Sequence, residues 1–358
     1  MSEDPNGGDG STPRGQRELA RDPSAGTSGL RFESHAEPSQ AALEHGNTHL
    51  VERRHLRIGS GPRFNQLIEA ENFVALTHLV TDLGSSVDVI YVDPPYNTGM
   101  QNLGYGDHAL RAGADKHSRW LSFMEHRLVL SRQLLSARGV LYLHVDENEA
   151  AASTLLCREI FGENNVDVLI WPKTDPRFDQ NRVEKPPRTI KLVHEYVVAC
   201  FRDRDQVALN QVLRPVSRGS EWVEHPLELD SILSGWGTTS SAKDELADVF
   251  GDRYRFQTPK PMRLIKELVR AASGRESVVL DFFAGSGTTG HAVMDLNIED
   301  QGERRFILVN NDEYGICRDI TYERLARVME REGYAESLKF LDVRIERKQP
   351  DGGTTGGG

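Results

Sequence analysis

The sequence predicts an α/β fold, a mostly parallel sheet with helices on both faces, and three observations carry that expectation. Apolar, β-branched runs alternate with amphipathic stretches through most of the chain. Val279-Leu-Asp-Phe-Phe-Ala-Gly-Ser-Gly-Thr-Thr-Gly290 passes from a strand through a glycine turn into a helix. Asp93-Pro94-Pro95-Tyr96 follows directly on a compact strand, at the end where open α/β sheets hold their ligands.

Taken in order, 65–69 reads as a short strand, 73–83 as a helix and 87–92 as a β-branched strand. Apolar Leu121, Met124, Leu128, Leu130 and Leu135 make 120–135 an amphipathic helix, with Gly139 just past its end. A strand at 140–145, a helix at 147–161 and strands at 166–171 and 195–201 follow. The C-terminal third reads as helix 262–272, strand 277–283, helix 288–296, strand 305–309 and helix 319–331. The stretch 202–256, with Gly219-Ser220 and Gly235-Trp236-Gly237, lacks a regular period. It reads as a loop-rich insertion, the kind of element that carries specificity.

Composition narrows the class. The 358 residues include 43 Lys+Arg and 54 Asp+Glu, a net charge of −11. That balance argues against non-specific nucleic-acid binding while leaving room for a local basic patch. The hydrophobic fraction of 38% falls below the globular average of about 45–50%. Gly-, Pro- and Ser-rich ends account for part of the deficit, so 1–50 and 349–358 are expected to be disordered tails. No apolar run approaches a membrane span, and no secretory signal is expected from the N-terminus. Cys157, Cys200 and Cys317 are scattered, which points to a reducing, cytoplasmic home rather than a disulfide framework. The twelve histidines show no ligand spacing, so no metal is expected.

Two motifs carry the chemistry. Asp93-Pro94-Pro95-Tyr96 is a rigid loop with one carboxylate, free carbonyls and one aromatic face. Such a loop suits a planar group bearing an amine: the acceptors take its N–H bonds and the ring stacks on it. In the second motif, the glycines let a ligand approach the backbone, and the helix N-terminus supplies donors. Gly285, Gly287 and Gly290 also satisfy the dinucleotide pattern, with Asn310, Asn311 and Asp312 where a ribose contact is expected. A nicotinamide or flavin oxidoreductase therefore stays open on this motif alone. Residues 171–191 place Lys173, Arg177, Arg182, Lys185, Arg188 and Lys191 against Asp175, Asp179 and Glu184, with Trp171 within reach. They read equally well as a phosphate-contacting loop and as a solvated surface. His144 and Asp146 end a strand next to the Asp93 strand and read as site-lining or core-edge groups.

Together the motifs resemble the S-adenosylmethionine-dependent amino-methyltransferases that act on DNA, and their Rossmann-like fold. Asp93-Pro-Pro-Tyr96 is similar to the catalytic motif of adenine-N6 enzymes, and Asp281-Phe282-Phe283-Ala284-Gly285-Ser286-Gly287-Thr288-Thr289 to the cofactor motif. The catalytic motif comes first, an order that resembles the beta class, which includes methylation subunits of type III restriction-modification systems. Tyr96-Asn-Thr-Gly99, His194-Glu-Tyr196 and Thr258-Pro-Lys-Pro261 look like further family segments.

The resemblance implies a site-specific transfer of a methyl group from S-adenosyl-L-methionine to N6 of adenine in double-stranded DNA, with base flipping. Catalysis then falls to Asp93, Pro94, Pro95 and Tyr96. Glu71 and Asn72 are placed near the cofactor adenine, Lys260 and Pro261 beside its methionine moiety, and Asn310 at its ribose. Trp171, Lys173, Arg177, Arg182 and Lys185 are the candidate DNA contacts. The chain divides into a catalytic half over 51–201, a target-recognition-like insertion over 202–256 and a cofactor half over 257–348. A separate restriction or recognition subunit and a homodimer are the partners implied. Cytosine-N4 methylation is the runner-up, and a degenerate, non-catalytic DNA-binding subunit is the alternative outside enzymes.

Overall fold

The computed structural model describes residues 32–37, 39–40, 46–96, 116–175, 190–218 and 221–347. Its strands are β1 (Gly46–Glu52), β2 (Asn65–Glu69), β3 (Val87–Val92), β4 (Leu135–Val145), β5 (Val166–Trp171), β6 (Glu195–Phe201), β7 (Val212–Arg218), β8 (Glu221–Leu227), β9 (Val278–Asp281), β10 (Arg305–Asn310) and β11 (Leu338–Arg347). Its α-helices are α1 (Asn72–Leu83), α2 (Lys116–Leu134), α3 (Ala150–Phe161), α4 (Thr239–Phe250), α5 (Met262–Ala272), α6 (Thr288–Asp300) and α7 (Glu323–Glu332).

Nine strands form one sheet in the order β1-β11-β2-β10-β9-β3-β4-β6-β5, and β7 and β8 pair separately. The run from β11 to β4 is parallel. Only the β1–β11 pair at one edge and the β4–β6 and β6–β5 pairs at the other are antiparallel. The sheet is therefore mostly parallel, as the alternation of strands and helices predicts.

Side chains of a strand point alternately to its two faces, and both faces are covered. Val89, Tyr91, Val140, Tyr142 and Val279 pack with Leu264 and Leu268 of α5, Val293 of α6 and Leu325 of α7. Ile90, Val92, Leu141, Leu143 and Leu280 pack with Leu76 of α1, Met124 and Leu128 of α2 and Leu156 of α3. A strand buried on both sides reads as a continuous apolar run, which is why the central strands are legible in the sequence.

The topology positions the site. From β3 the chain passes through α2 to β4 on one side; from β9 it passes through α6 to β10 on the other. β3 and β9 are themselves neighbours, with Val89 opposite Val279 and Ile90 opposite Leu280. This reversal opens a crevice at their C-terminal ends, where ligands bind in open α/β sheets.

The structure departs from expectation at the ends and in the insertion. Ordered structure begins before 51: β1 pairs along β11, a strand the sequence reading did not anticipate. Glu37 lies buried against Arg127 of α2, and the His35 backbone N–H donates to Ser122 Oγ at 3.0 Å. The stretch 202–256 holds the β7–β8 hairpin and α4 rather than loop alone. Gly139 sits inside β4 rather than capping α2, near a shift in the β3–β4 register. Among the described residues no helix is long and apolar enough to cross a membrane.

Candidate active site

Asp93-Pro94-Pro95-Tyr96 leaves the C-terminal end of β3 into the crevice. Pro94 and Pro95 are buried, and Trp120 of α2 donates its indole N–H to the Pro95 carbonyl at 2.9 Å. Proline cannot donate, so this bond and two fixed φ angles hold the loop. The Tyr96 hydroxyl donates to Asp93 Oδ1 at 2.6 Å.

A polar network surrounds this pair. Lys260, from the segment before α5, places Nζ 2.7 Å from Asp93 Oδ2 and 3.6 Å from Glu195 Oε2. Glu195 Oε2 is also 3.2 Å from the Tyr96 hydroxyl and 2.9 Å from His144 Nε2, and Oε1 is 3.3 Å from Lys173 Nζ. His144 Nδ1 is 3.0 Å from the Tyr91 hydroxyl. Two carboxylates thus face two ammonium groups and one imidazole. Such compensation is what permits charge in a low-dielectric interior.

Burial, and then Lys260, hold the His144 pKa below the usual imidazole value. Its Nε2 stands 2.9 Å from Glu195 Oε2 without hydrogen-bond alignment, and its Nδ1 is within hydrogen-bond distance of the Tyr91 hydroxyl. Burial opposes ionisation of Glu195, but Lys260, His144 and Lys173 outweigh it and hold its carboxyl well below the ordinary range. Burial likewise opposes charge on Lys260, and Asp93 and Glu195 keep it protonated. The Tyr96 phenol is pushed well up by burial, then by Asp93 and Glu195.

The second wall is the glycine turn after β9. Asp281 is buried and accepts from the Phe283 N–H at 3.0 Å and the Thr289 hydroxyl at 2.5 Å. Burial still pushes its pKa up to about 7, against those two bonds. Gly285 and Gly287 adopt φ of 49° and 77°, the left-handed region that favours glycine. A Cβ on Gly287 would lie 3.2 Å from the Thr321 carbonyl oxygen, so the turn also packs too closely for a side chain. Arg324, fully buried in α7, braces the turn from below, donating to Thr288 Oγ1 at 2.8 Å and Ser286 Oγ at 3.2 Å.

One cavity of about 240 Å³ joins the two walls. Asp93, Pro94, Pro95, Tyr96 and Lys260 line it together with Asp281, Phe283, Ala284, Gly285, Ser286, Thr288 and Thr289. The remaining lining is largely apolar and aromatic, including Phe256, Ile316, Ile320 and Tyr314, which is 76% exposed at the mouth. A carboxylate, the amides at the start of α6 and flat apolar walls suit a ligand with an amino-acid end and an aromatic end.

Other expected site residues take different places. Phe282 is buried beside Phe283 in the core, and Pro261 precedes the first turn of α5. Glu71 caps α1 through the Val74 N–H and pairs with Arg127 at 2.6 Å, while Asn72 bridges Arg127 and the Phe282 carbonyl. These two support the glycine turn from outside the cavity lining. Asn310, expected at the ribose, turns its side chain into the protein. It is 2% exposed, and its amide nitrogen donates to the Gly285 carbonyl at 3.1 Å and to Thr321 Oγ1 at 2.9 Å. Its side chain anchors the turn and is absent from the cavity wall.

The expected DNA contacts divide. Trp171 is 1% exposed, packs on His144 with ring centroids 5.3 Å apart, and donates to the Gly237 carbonyl. It is a core residue rather than a base or phosphate contact. Lys173 is drawn into the active-site network by Glu195. Arg177, Arg182 and Lys185 lie outside the described residues. Glu195 was not singled out from sequence, although His194-Glu195-Tyr196 opens the strand paired with β4. Its signal was an acid at the start of an apolar strand, which has a use only if that end faces a site. Phe256 and Tyr314 carried no sequence signal at all.

Residues 87–324 match a family model described as DNA methylase. The chain is 29% identical over 379 aligned positions to the type III restriction-modification enzyme StyLTI Mod subunit of Salmonella typhimurium, covering 74% of this chain and 57% of that protein. It is 25% identical over 378 positions to the EcoPI Mod subunit of Escherichia phage P1, covering 70% and 58%. The chain thus spans about three-fifths of the length of these relatives. Among solved structures, the M1.HpyAVI–SAM complex aligns with 73% of this chain and 97% of that one, at 18% identity and a TM-score of 0.42.

Proposed function

The chain belongs to the DNA methylase family, and from that premise we propose that it transfers a methyl group from S-adenosyl-L-methionine to N6 of adenine in double-stranded DNA. The observation that carries the reading is the Asp93–Tyr96 loop and the 281–289 glycine turn on two walls of one cavity. The cavity's donors and flat apolar walls fit the cofactor, with Asp281, Ser286, Thr288 and Phe283 as the residues that hold it. When bound there, the cofactor supplies an electrophilic methyl group.

The remaining chemistry falls to the chain's own residues. The lone pair of an exocyclic amine is delocalised into its ring, which makes it a poor nucleophile. Asp93 and the Pro94 carbonyl accept the two amino hydrogens, and that turns the nitrogen towards tetrahedral geometry and frees the lone pair. Preorganised contacts of this kind are typically worth about 3–4 kcal/mol each, and fixed orientation adds to them. Tyr96 stacks on the base, with Lys260 Nζ 5.0 Å from its ring centroid on the network side. A duplex base cannot enter such a cavity without flipping, at a cost of a few kcal/mol.

On this reading the protein acts as a modification subunit in the manner of the StyLTI and EcoPI relatives, and a restriction subunit is a separate chain. The basic stretch 171–191, through Arg177, Arg182 and Lys185, contacts phosphates and 202–256 contributes to site choice. Mass spectrometry of nucleosides from DNA treated with the purified protein and labelled S-adenosylmethionine tests the central claim. N6-methyladenine is expected; N4-methylcytosine would replace this assignment, and no methylated base would remove it.

A further inference from the structure

Both carboxylate oxygens of Asp93 are occupied, Oδ1 by the Tyr96 hydroxyl and Oδ2 by Lys260 Nζ. Each oxygen keeps a further lone pair, but both bonds lie in a buried network, so an amino group that donates to Asp93 competes with one of them for the same carboxylate. The Tyr96 hydroxyl has Glu195 Oε2 within reach at 3.2 Å, but on the proposed reading its ring must stay in place to stack on the base, so Lys260 is the group that moves. Lys260 carries three donors on a flexible stem. A buried ammonium taken from its carboxylate is strongly disfavoured unless another acceptor receives it.

Glu195 is built as that acceptor. Its Oε2 stands 3.6 Å from Lys260 Nζ, just beyond a hydrogen bond, so a shift of under an ångström completes the contact. It is also held in place. His144 Nε2 lies 2.9 Å from Oε2, Lys173 Nζ lies 3.3 Å from Oε1, and Tyr91 fixes the far side of the imidazole. We infer that Glu195 is a positioning residue that receives Lys260 when the target amino group takes Asp93 Oδ2. The lysine thereby guards the catalytic carboxylate in the empty site and releases it on base entry. This inference rests on the amino-methyl transfer proposed above.

A double-mutant cycle on single-turnover methylation of a DNA duplex carrying the modified site tests it. Glu195→Gln is expected to slow methyl transfer at least about tenfold, with cofactor affinity unchanged by calorimetry. In a Lys260→Met background the same substitution is expected to change the rate less than about threefold, because no lysine needs receiving. An equal cost in both backgrounds, or full activity in Glu195→Gln, would overturn the inference while leaving the transfer reaction intact.

A second measurement uses the wild-type chain, whatever the fate of the lysine variant. In a structure with the duplex and S-adenosylhomocysteine, Lys260 Nζ is expected on Glu195 and off Asp93. Lys260 still on Oδ2 beside a bound amino group would overturn the inference. Wild-type protein that methylates no amino group of DNA would remove the proposed function and this inference with it.

Discussion

Lys260 and Asp93 are joined by a 2.7 Å bond across 167 positions of chain. Lys260 directly precedes Pro261 and α5, and α5 packs on the sheet face that holds β3. The residue expected beside the cofactor's methionine end therefore also faces the group that prepares the acceptor amine, so the two halves of the site share one electrostatic unit.

Asp93→Ala removes the acceptor while leaving the glycine turn untouched. Methyl transfer should fall by about 10²- to 10³-fold or more, and calorimetric binding of S-adenosylmethionine should persist. Full activity in this variant would remove the mechanism. Tyr96→Ala should also be crippled, through lost stacking worth roughly 1–3 kcal/mol. Tyr96→Phe should fall between, because the ring survives but Asp93 Oδ1 loses its donor, a bond worth about 1 kcal/mol.

Gly287→Val places a β-branched side chain at a φ of 77° and against the Thr321 carbonyl. Gly285→Val acts similarly at a φ of 49°, against the Phe256 ring. Both should lose cofactor affinity in calorimetry while circular dichroism still shows folded protein. Wild-type affinity in both would disconnect the turn from the cofactor.

Asp281 offers a pH dependence with a definite sign. Burial raises its folded pKa from 3.8 to about 7. The folded state then holds a proton that the unfolded state has released between those values. Its contribution to stability is greatest at low pH and declines as pH rises from about 4 to about 7. Urea midpoints of wild type minus those of Asp281→Asn should show that decline across the window. A flat difference would mean the carboxyl is ionised in the folded protein throughout.

The structure reassigns Lys173, which changes the DNA-binding test. Neutralising Arg177, Arg182 and Lys185 together should weaken binding to every sequence and reduce the salt slope by about 0.9 per lost phosphate contact. Lys173→Gln should instead depress turnover more than DNA affinity, since its ammonium faces Glu195. Equal salt slopes for the triple variant and wild type would remove the phosphate-contact reading of 171–191.

What the sequence determined by itself was local and strongly patterned. β3, β5, β6 and α5 were legible with their boundaries because buried strands and amphipathic helices carry their period in neighbouring residues. The Asp93 loop and the glycine turn were legible because a strand end followed by Pro-Pro or by closely spaced glycines needs no distant partner to be meaningful. β1 and β11 were not, because an antiparallel edge pair bridging the two ends of the chain has no local signature. The hairpin of β7 and β8 was hidden for a related reason: its β8 strand is mostly exposed, so it lacks an apolar rhythm.

Only the tertiary structure decided which groups meet. Glu195, His144 and Tyr91 lie on three strands, β6, β4 and β3, and converge because those strands are neighbours in the sheet. Asn310 and Trp171 had the right chemistry for contact, yet packing turned both inward. Residue type fixes what a side chain can donate or accept. Whether it faces a ligand depends on strand order and helix packing, and those arise from contacts between residues far apart in the chain.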